Sequence, residues 1–108
     1  MRFVFPIFWN KQFISYKALR QMIDSGVKFV LLDVRTGSEY KSGHIPGSKN
    51  APQEKLLKVL NKTGKEASIV LYCQSGGRAR KAKKFLENSG FTDVQTFGSV
   101  SRWKGELG

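Results

Sequence analysis

The chain has 108 residues, enough for one packed core and too few to divide into two. Hydrophobic residues at 40% and charged residues at 25% sit in the globular range and exclude a disordered or fibrous chain. A formal net charge of +11 gives a positive potential that attracts anions, whether small oxyanions, acidic proteins, nucleic acid or lipid headgroups.

Met1 to Trp9 is an apolar run with Arg2 near its start. It falls far short of the ~20 apolar residues of a membrane span, contains Pro6 and lacks a small-residue cleavage site. Residues 1–12 therefore read as an N-terminal arm (an extra edge strand, a partner-binding arm or an expression remnant) ahead of a domain over residues 13–108. Phe13-Ile14 looks like a short strand. Ser15 is placed to cap a helix in which Ala18, Leu19, Met22 and Ile23 share one face, and Gly26 stops it. Phe29 to Leu32 is a continuous apolar run ending in Asp33, and Ile69 to Tyr72 is another ending in Cys73. Runs that are apolar on both faces suit the buried strands of a parallel sheet. Between them, Gly43-His44-Ile45-Pro46-Gly47 is turn chemistry, and Leu56, Leu57 and Leu60 fit a second helix. After Cys73 come Gln74-Ser75-Gly76-Gly77 and a helix from Arg78 to Asn88, with Ala79, Ala82, Phe85 and Leu86 turned inward and an end near Gly90. Val94 to Phe97 reads as a last strand, and Trp103 in the tail covers the core.

This alternation predicts an α/β fold, an open and mostly parallel sheet of about five strands flanked by helices on both faces. Ligands of such sheets bind beyond the carboxyl ends of the strands. Asp33, with Arg35 and Glu39 just after it, is then expected on the same rim as Cys73 and its loop.

One cysteine excludes an intramolecular disulfide, and one cysteine with one histidine does not make a structural zinc site, so no metal or cofactor is expected. The lone thiol sits at a strand end before a glycine-containing loop and a helix start. Gly76 and Gly77 let successive N–H groups turn inward, and the helix start adds unpaired donors and the positive end of its dipole. Those donors and the Arg78 guanidinium favour the reactive thiolate form, which makes Cys73 a candidate nucleophile. The alternative is an inert buried thiol, the commoner fate of a lone cysteine, and the loop with Arg78 tips the balance to reactivity. Arg78, Arg80, Lys81, Lys83 and Lys84 load cations onto the first turns of a helix, where each is disfavoured by ~0.3–1 kcal/mol. Lys81 and Lys84 suit a solvated face, and Arg78 is the cation placed for an anionic ligand. Basic residues interleaved with aromatics are lacking, as is a recognition helix, so nucleic acid is not the expected partner. Gly64-Lys65 lacks the rest of a phosphate-binding loop.

Four separate segments, Leu32-Asp33-Val34-Arg35, Glu39-Tyr40, Gly43-His44-Ile45-Pro46-Gly47-Ser48-Lys49-Asn50 and Tyr72-Cys73-Gln74-Ser75-Gly76-Gly77-Arg78, occur in the order found in the rhodanese family, which the chain resembles from Phe13 to about Leu107. The resemblance implies a single-domain thiosulfate sulfurtransferase in the cytoplasm. Cys73 would take a sulfane sulfur from a small anionic donor such as thiosulfate and pass it to cyanide or a thiol in a ping-pong cycle. Gln74, Ser75, Gly76, Gly77 and Arg78 would form the substrate loop, with Arg78 holding the donor and Ser75 either donating a hydroxyl or serving as a turn residue. Asp33, Arg35 and Glu39 would support the loop as an ion-paired group rather than act in catalysis. His44 would be a structural hydrogen-bonding residue. Only four residues separate Cys73 from Arg78, whereas the family's phosphatase and arsenate reductase branches hold a longer loop, so sulfur is favoured over phosphate. A sulfur-relay or interaction module that docks an acidic protein partner is the alternative in another class. The chain departs from the family in carrying Gly98-Ser99 where two glycines are frequent.

Overall fold

In a computed structural model, residues 13–108 are described, and the N-terminal arm expected over residues 1–12 lies outside the described residues. Ile69–Cys73 (β3) is the centre of the fold, because all five of its side chains are buried and both its edges are paired. Val30–Asp33 (β1) lies on one side of it and Val94–Ser99 (β4) on the other, with Lys49–Asn50 (β2) outside β1, giving the order β2-β1-β3-β4. Every pairing is parallel.

The helices are Tyr16–Ser25 (α1), Gly37–Lys41 (α2), Leu56–Val59 (α3) and Gly77–Asn88 (α4), with single 3-10 turns at Gln53–Lys55 and Val100–Arg102. Alternation along β1 and β3 sends Leu32, Ile69, Leu71 and Cys73 to one face, where they pack with Leu56 and Leu60 and with Ala79, Ala82 and Leu86 of α4. Leu31, Val70, Tyr72 and Phe97 go to the other, against Leu19 of α1, Ile45 and Trp103. Helices thus flank both faces, and each fully buried leucine contributes about 1.5–3 kcal/mol.

Among the described residues four strands form, where about five were expected. Phe13-Ile14 is not a strand: among the described residues it is joined to β4 by one backbone hydrogen bond, Ile14 N–H to the Thr96 carbonyl at 2.8 Å, rather than by a ladder. Ala18, placed by the sequence on the apolar face of α1, and Leu57, placed in the second helix, are exposed. Leu56, at the start of α3, and Leu60, its C-cap, point to the buried side, and Leu57 is rotated about 100° from Leu56 and about 60° from Leu60 into solvent. Ser15 caps α1 by accepting from the Ala18 N–H at 3.0 Å, and Gly26 ends that helix.

Because the strands are parallel, their carboxyl ends share one rim. Asp33 ends β1, Cys73 ends β3 and Ser99 ends β4, and Cys73 lies in register with Ser99.

Candidate active site

Cys73 leaves the sheet fully buried, and the chain then turns through Gln74, Ser75 and Gly76 into α4. Gly76 has φ +101°, a left-handed conformation that side chains resist, and it caps the helix. This turn folds the loop back over the sulfur. The Gly76 N–H donates to Cys73 Sγ at 2.9 Å and the Ala79 N–H, one helical turn on, donates to it at 3.3 Å. Two amides therefore converge on one sulfur at the positive end of a twelve-residue helix. Hydrogen bonds to a charged acceptor are worth about 1.5–3 kcal/mol each, so this arrangement favours an anionic sulfur over a neutral one.

Arg78 is paired with a carboxylate on the neighbouring helix α2. Its Nη1 and Nη2 donate to Glu39 Oε1 and Oε2 at 2.8 and 3.0 Å, a two-pronged pair with side chains 44% and 32% exposed. The Arg78 hydrogen bond is the main reason that the Glu39 carboxyl is held down to about 2 from its usual 4.5, with the Thr36 backbone N–H next. Arg78 is correspondingly held above its usual value, chiefly by Glu39 and secondarily by charges that include Cys73. Glu39 is presented by α2, whose first turn is fixed by a capping box in which the Thr36 hydroxyl accepts from the Glu39 N–H and Glu39 Oε1 accepts from the Thr36 N–H. The expected grouping of Glu39 with Asp33 and Arg35 is thereby corrected: the capping box aims Glu39 across the rim at Arg78.

Asp33 and Arg35 form a separate, buried pair, 0% and 4% exposed. Arg35 Nη2 donates to Asp33 Oδ2 at 2.7 Å, Nε to both carboxylate oxygens at 3.0 Å, and the Arg35 backbone N–H to Oδ1 at 2.9 Å. The Asp33 hydrogen bond raises the guanidinium above its usual pKa against the opposing effect of burial. The remaining Arg35 donors reach the Gly43 carbonyl at 2.7 Å and Gln74 Oε1 at 3.4 Å, tying the end of β1 to the turn after α2 and to the cysteine loop. Asn50 completes this bracket by donating to the Asp33 and Arg35 carbonyls at 3.1 and 2.9 Å. On the opposite side the Ser99 hydroxyl donates to the Gln74 carbonyl.

Of the sequence-identified residues, Cys73, Gln74, Gly76 and Arg78 are joined through the loop, Ser75 and Gly77 are exposed along it, and Asp33, Arg35 and Glu39 form two brackets beside it. His44 is stacked on Tyr40 at 3.8 Å with its Nδ1 donating to the Tyr40 carbonyl at 2.9 Å, which makes it part of the turn. Tyr72, Ile45 and Ser48 stabilise that turn, with the Tyr72 hydroxyl accepting from the Ile45 N–H at 3.0 Å, and burial pushes the Tyr72 phenol above its usual pKa. The sequence pattern missed Ala79, which reads as a core residue because its contribution is a backbone N–H, and it missed Asn50 and Ser99. The third helical position after a glycine loop was the signal for Ala79. A cleft of about 310 Å³ opens next to Arg78, bounded by Thr36, Gly37, Asn50, Pro52 and Lys55 among others, with Cys73 outside its wall. Among the described residues, no helix is long and apolar enough to cross a membrane.

Residues 15–106 match the Rhodanese-like domain family. The chain belongs to the rhodanese-like family. It is 30% identical over 93 residues to the putative sulfurtransferase YtwF of Bacillus subtilis, covering 86% of this chain and 90% of YtwF. It is 36% identical over 103 residues to thiosulfate sulfurtransferase 16, chloroplastic, of Arabidopsis thaliana, covering 83% and 84%. The human single-domain sulfurtransferase TSTD1 superimposes with a TM-score of 0.77 at 28% identity, over 87% of this chain and 96% of that one. The rhodanese-like chain spans less than two thirds of two other Bacillus subtilis relatives, 64% of the uncharacterized protein YqhL and 44% of the putative sulfur carrier protein YrkF.

Proposed function

We propose that this rhodanese-like protein is a sulfurtransferase in which Cys73 carries sulfur as a persulfide. The observation that carries the proposal is the pair of amides, Gly76 and Ala79, aimed at a buried sulfur. Relatives named as sulfurtransferases support sulfur transfer as the class of chemistry.

The Cys73 thiolate attacks the outer sulfur of thiosulfate, a new S–S bond forms, and the bond to the sulfonate sulfur breaks with its electron pair leaving on sulfite. In the second half-reaction a nucleophile, cyanide or a thiolate, attacks the outer persulfide sulfur, takes it, and returns Cys73 as thiolate. The charge on the reacting sulfur stays near one negative unit through both steps, so fixed donors serve each state without rearranging. The Arg78 guanidinium at the lip binds the anionic donor by exchanging its bonds to Glu39 for bonds to that donor. Asp33 and Arg35 support Gln74 and the loop from beneath.

A second reading, sulfur relay to an acidic protein partner, is favoured by the +11 net charge and by the exposed cations Arg80, Lys81 and Lys84 on α4. Turnover with thiosulfate and cyanide separates the two. The sulfurtransferase proposal predicts thiocyanate release that Cys73→Ser abolishes without altering the fold. Persulfide that forms yet turns over only with an acidic protein acceptor, in a salt-sensitive manner, favours relay instead.

A further inference from the structure

We infer that Phe13 is a positioning residue for the Cys73 loop, an inference that rests on the proposed sulfur chemistry of that loop. Two glycines in left-handed conformations, Gly76 at φ +101° and Gly98 at φ +91°, leave a slot without side chains between the cysteine loop and β4. The Phe13 ring fills it. A Cβ at Gly98 would lie 3.0, 3.1 and 3.2 Å from Phe13 Cγ, Cδ2 and Cδ1, so the base of the ring rests on Gly98. A Cβ at Gly76 would lie 3.1 Å from Phe13 Cζ, so the tip of the ring abuts the residue whose N–H donates to Cys73 Sγ.

Phe13 is itself held from three directions. The next residue, Ile14, is bonded to the Thr96 carbonyl of β4 at 2.8 Å, Ser15 begins α1 as its cap, and the Arg102 guanidinium lies 5.3 Å over the ring. Arg102 is anchored in turn by donating to the Phe97 carbonyl at 2.5 Å and by lying 5.0 Å over the Phe97 ring. A chain of close contacts therefore runs from Arg102 through Phe13 to the Gly76 peptide. An outward swing of that peptide would take its N–H off the sulfur, and the aromatic wall opposes it. The ring meets the loop at the Gly76 backbone. It acts by keeping a donor in place, which is where preorganised hydrogen bonding gains its catalytic value.

Phe13→Ala and Phe13→Leu test this through the amide resonance of Gly76 in ¹⁵N-labelled protein and through steady-state kinetics with thiosulfate. Complete loss of one preorganised donor costs about 10²–10³ in kcat, so loosening one is expected to lower kcat about tenfold in Phe13→Ala. KM for thiosulfate, governed by Arg78, should stay within about twofold, and the Gly76 resonance should shift or broaden. Phe13→Leu should recover part of both effects. If Phe13→Ala does not fold, Phe13→Leu carries the test with a smaller change in the same direction. Wild-type kcat and an unmoved Gly76 resonance in the variants overturn the inference, as does a loss confined to KM or one that leucine leaves unrelieved. If the wild type itself gains no sulfur from thiosulfate, the proposed activity falls, while the Gly76 resonance still decides whether Phe13 positions that amide.

Discussion

Asp33→Asn removes one charge from a fully buried site. Asp33 is 0% and Arg35 4% exposed, and the carboxylate accepts from the Arg35 backbone N–H, from Nε and from Nη2. Asparagine keeps one acceptor oxygen and turns an NH2 group toward a guanidinium, so at least one of those donors loses its partner and the Arg35 charge loses its counterion. Breaking one side of a buried pair costs about 3–5 kcal/mol, a large share of the ~5–15 kcal/mol that stabilises a domain. Each kcal/mol moves Tm by roughly 4–8 °C in a domain of about this size, so a fall of at least ~12 °C is expected. Urea denaturation followed by circular dichroism gives the free energy, and thermal unfolding gives Tm. Arg35 also reaches Gln74, so any Asp33→Asn protein that remains folded should transfer sulfur more slowly. A cost below ~1 kcal/mol would refute the reasoning, because it would mean that Arg35 finds equal solvation without its carboxylate.

Gly76→Ala is expected to lose most sulfur transfer, since alanine at φ +101° costs about 1–2 kcal/mol in strain and its Cβ meets Phe13 at 3.1 Å; thiocyanate production measures the loss. Glu39→Gln frees Arg78 from an intramolecular competitor for anions, so KM for thiosulfate should fall by up to about fivefold, the equivalent of ~1 kcal/mol for a half-exposed pair. The stability that the Glu39 pair contributes, at most ~1 kcal/mol given its exposure, is present above pH 4.5 and lost as the pH falls toward about 2. Urea midpoints of wild type and Glu39→Gln should therefore differ at pH 6 and converge near pH 2. Leu71→Ala, at a fully buried position in the central strand, should cost about 2–5 kcal/mol by urea denaturation.

The central strands were legible because burial on both faces leaves an apolar run with no alternation, as in β3 and most of β1. β2 was not, since Lys49 and Asn50 are polar and are held in the sheet by register with Leu32 and Asp33 rather than by any pattern of their own. Thr36 and Glu39 carry the spacing of a capping box, yet α2 has five residues and no buried side chain, so hydrophobic periodicity has nothing to report. Phe13 and Ile14 mimic a strand by composition; what the sequence could not show is that the ring of one fills a slot between two distant glycines while the other makes a single bond to β4. At the site, the placement of Cys73 at a strand end before a glycine turn and a helix follows from residue types alone. The partners of that sulfur and of Arg78 do not, because a backbone amide leaves no trace in side-chain spacing and a guanidinium reaches whichever carboxylate the fold presents.

The proposed chemistry requires that the sulfur held by the Gly76 and Ala79 amides accept a second sulfur. Intact-protein mass spectrometry after incubation with thiosulfate tests it most directly. The wild type should gain the mass of one sulfur atom, lose it on addition of cyanide, and show no gain as Cys73→Ser. An unchanged mass after thiosulfate, mercaptopyruvate and polysulfide alike, or an equal gain in Cys73→Ser, would contradict it.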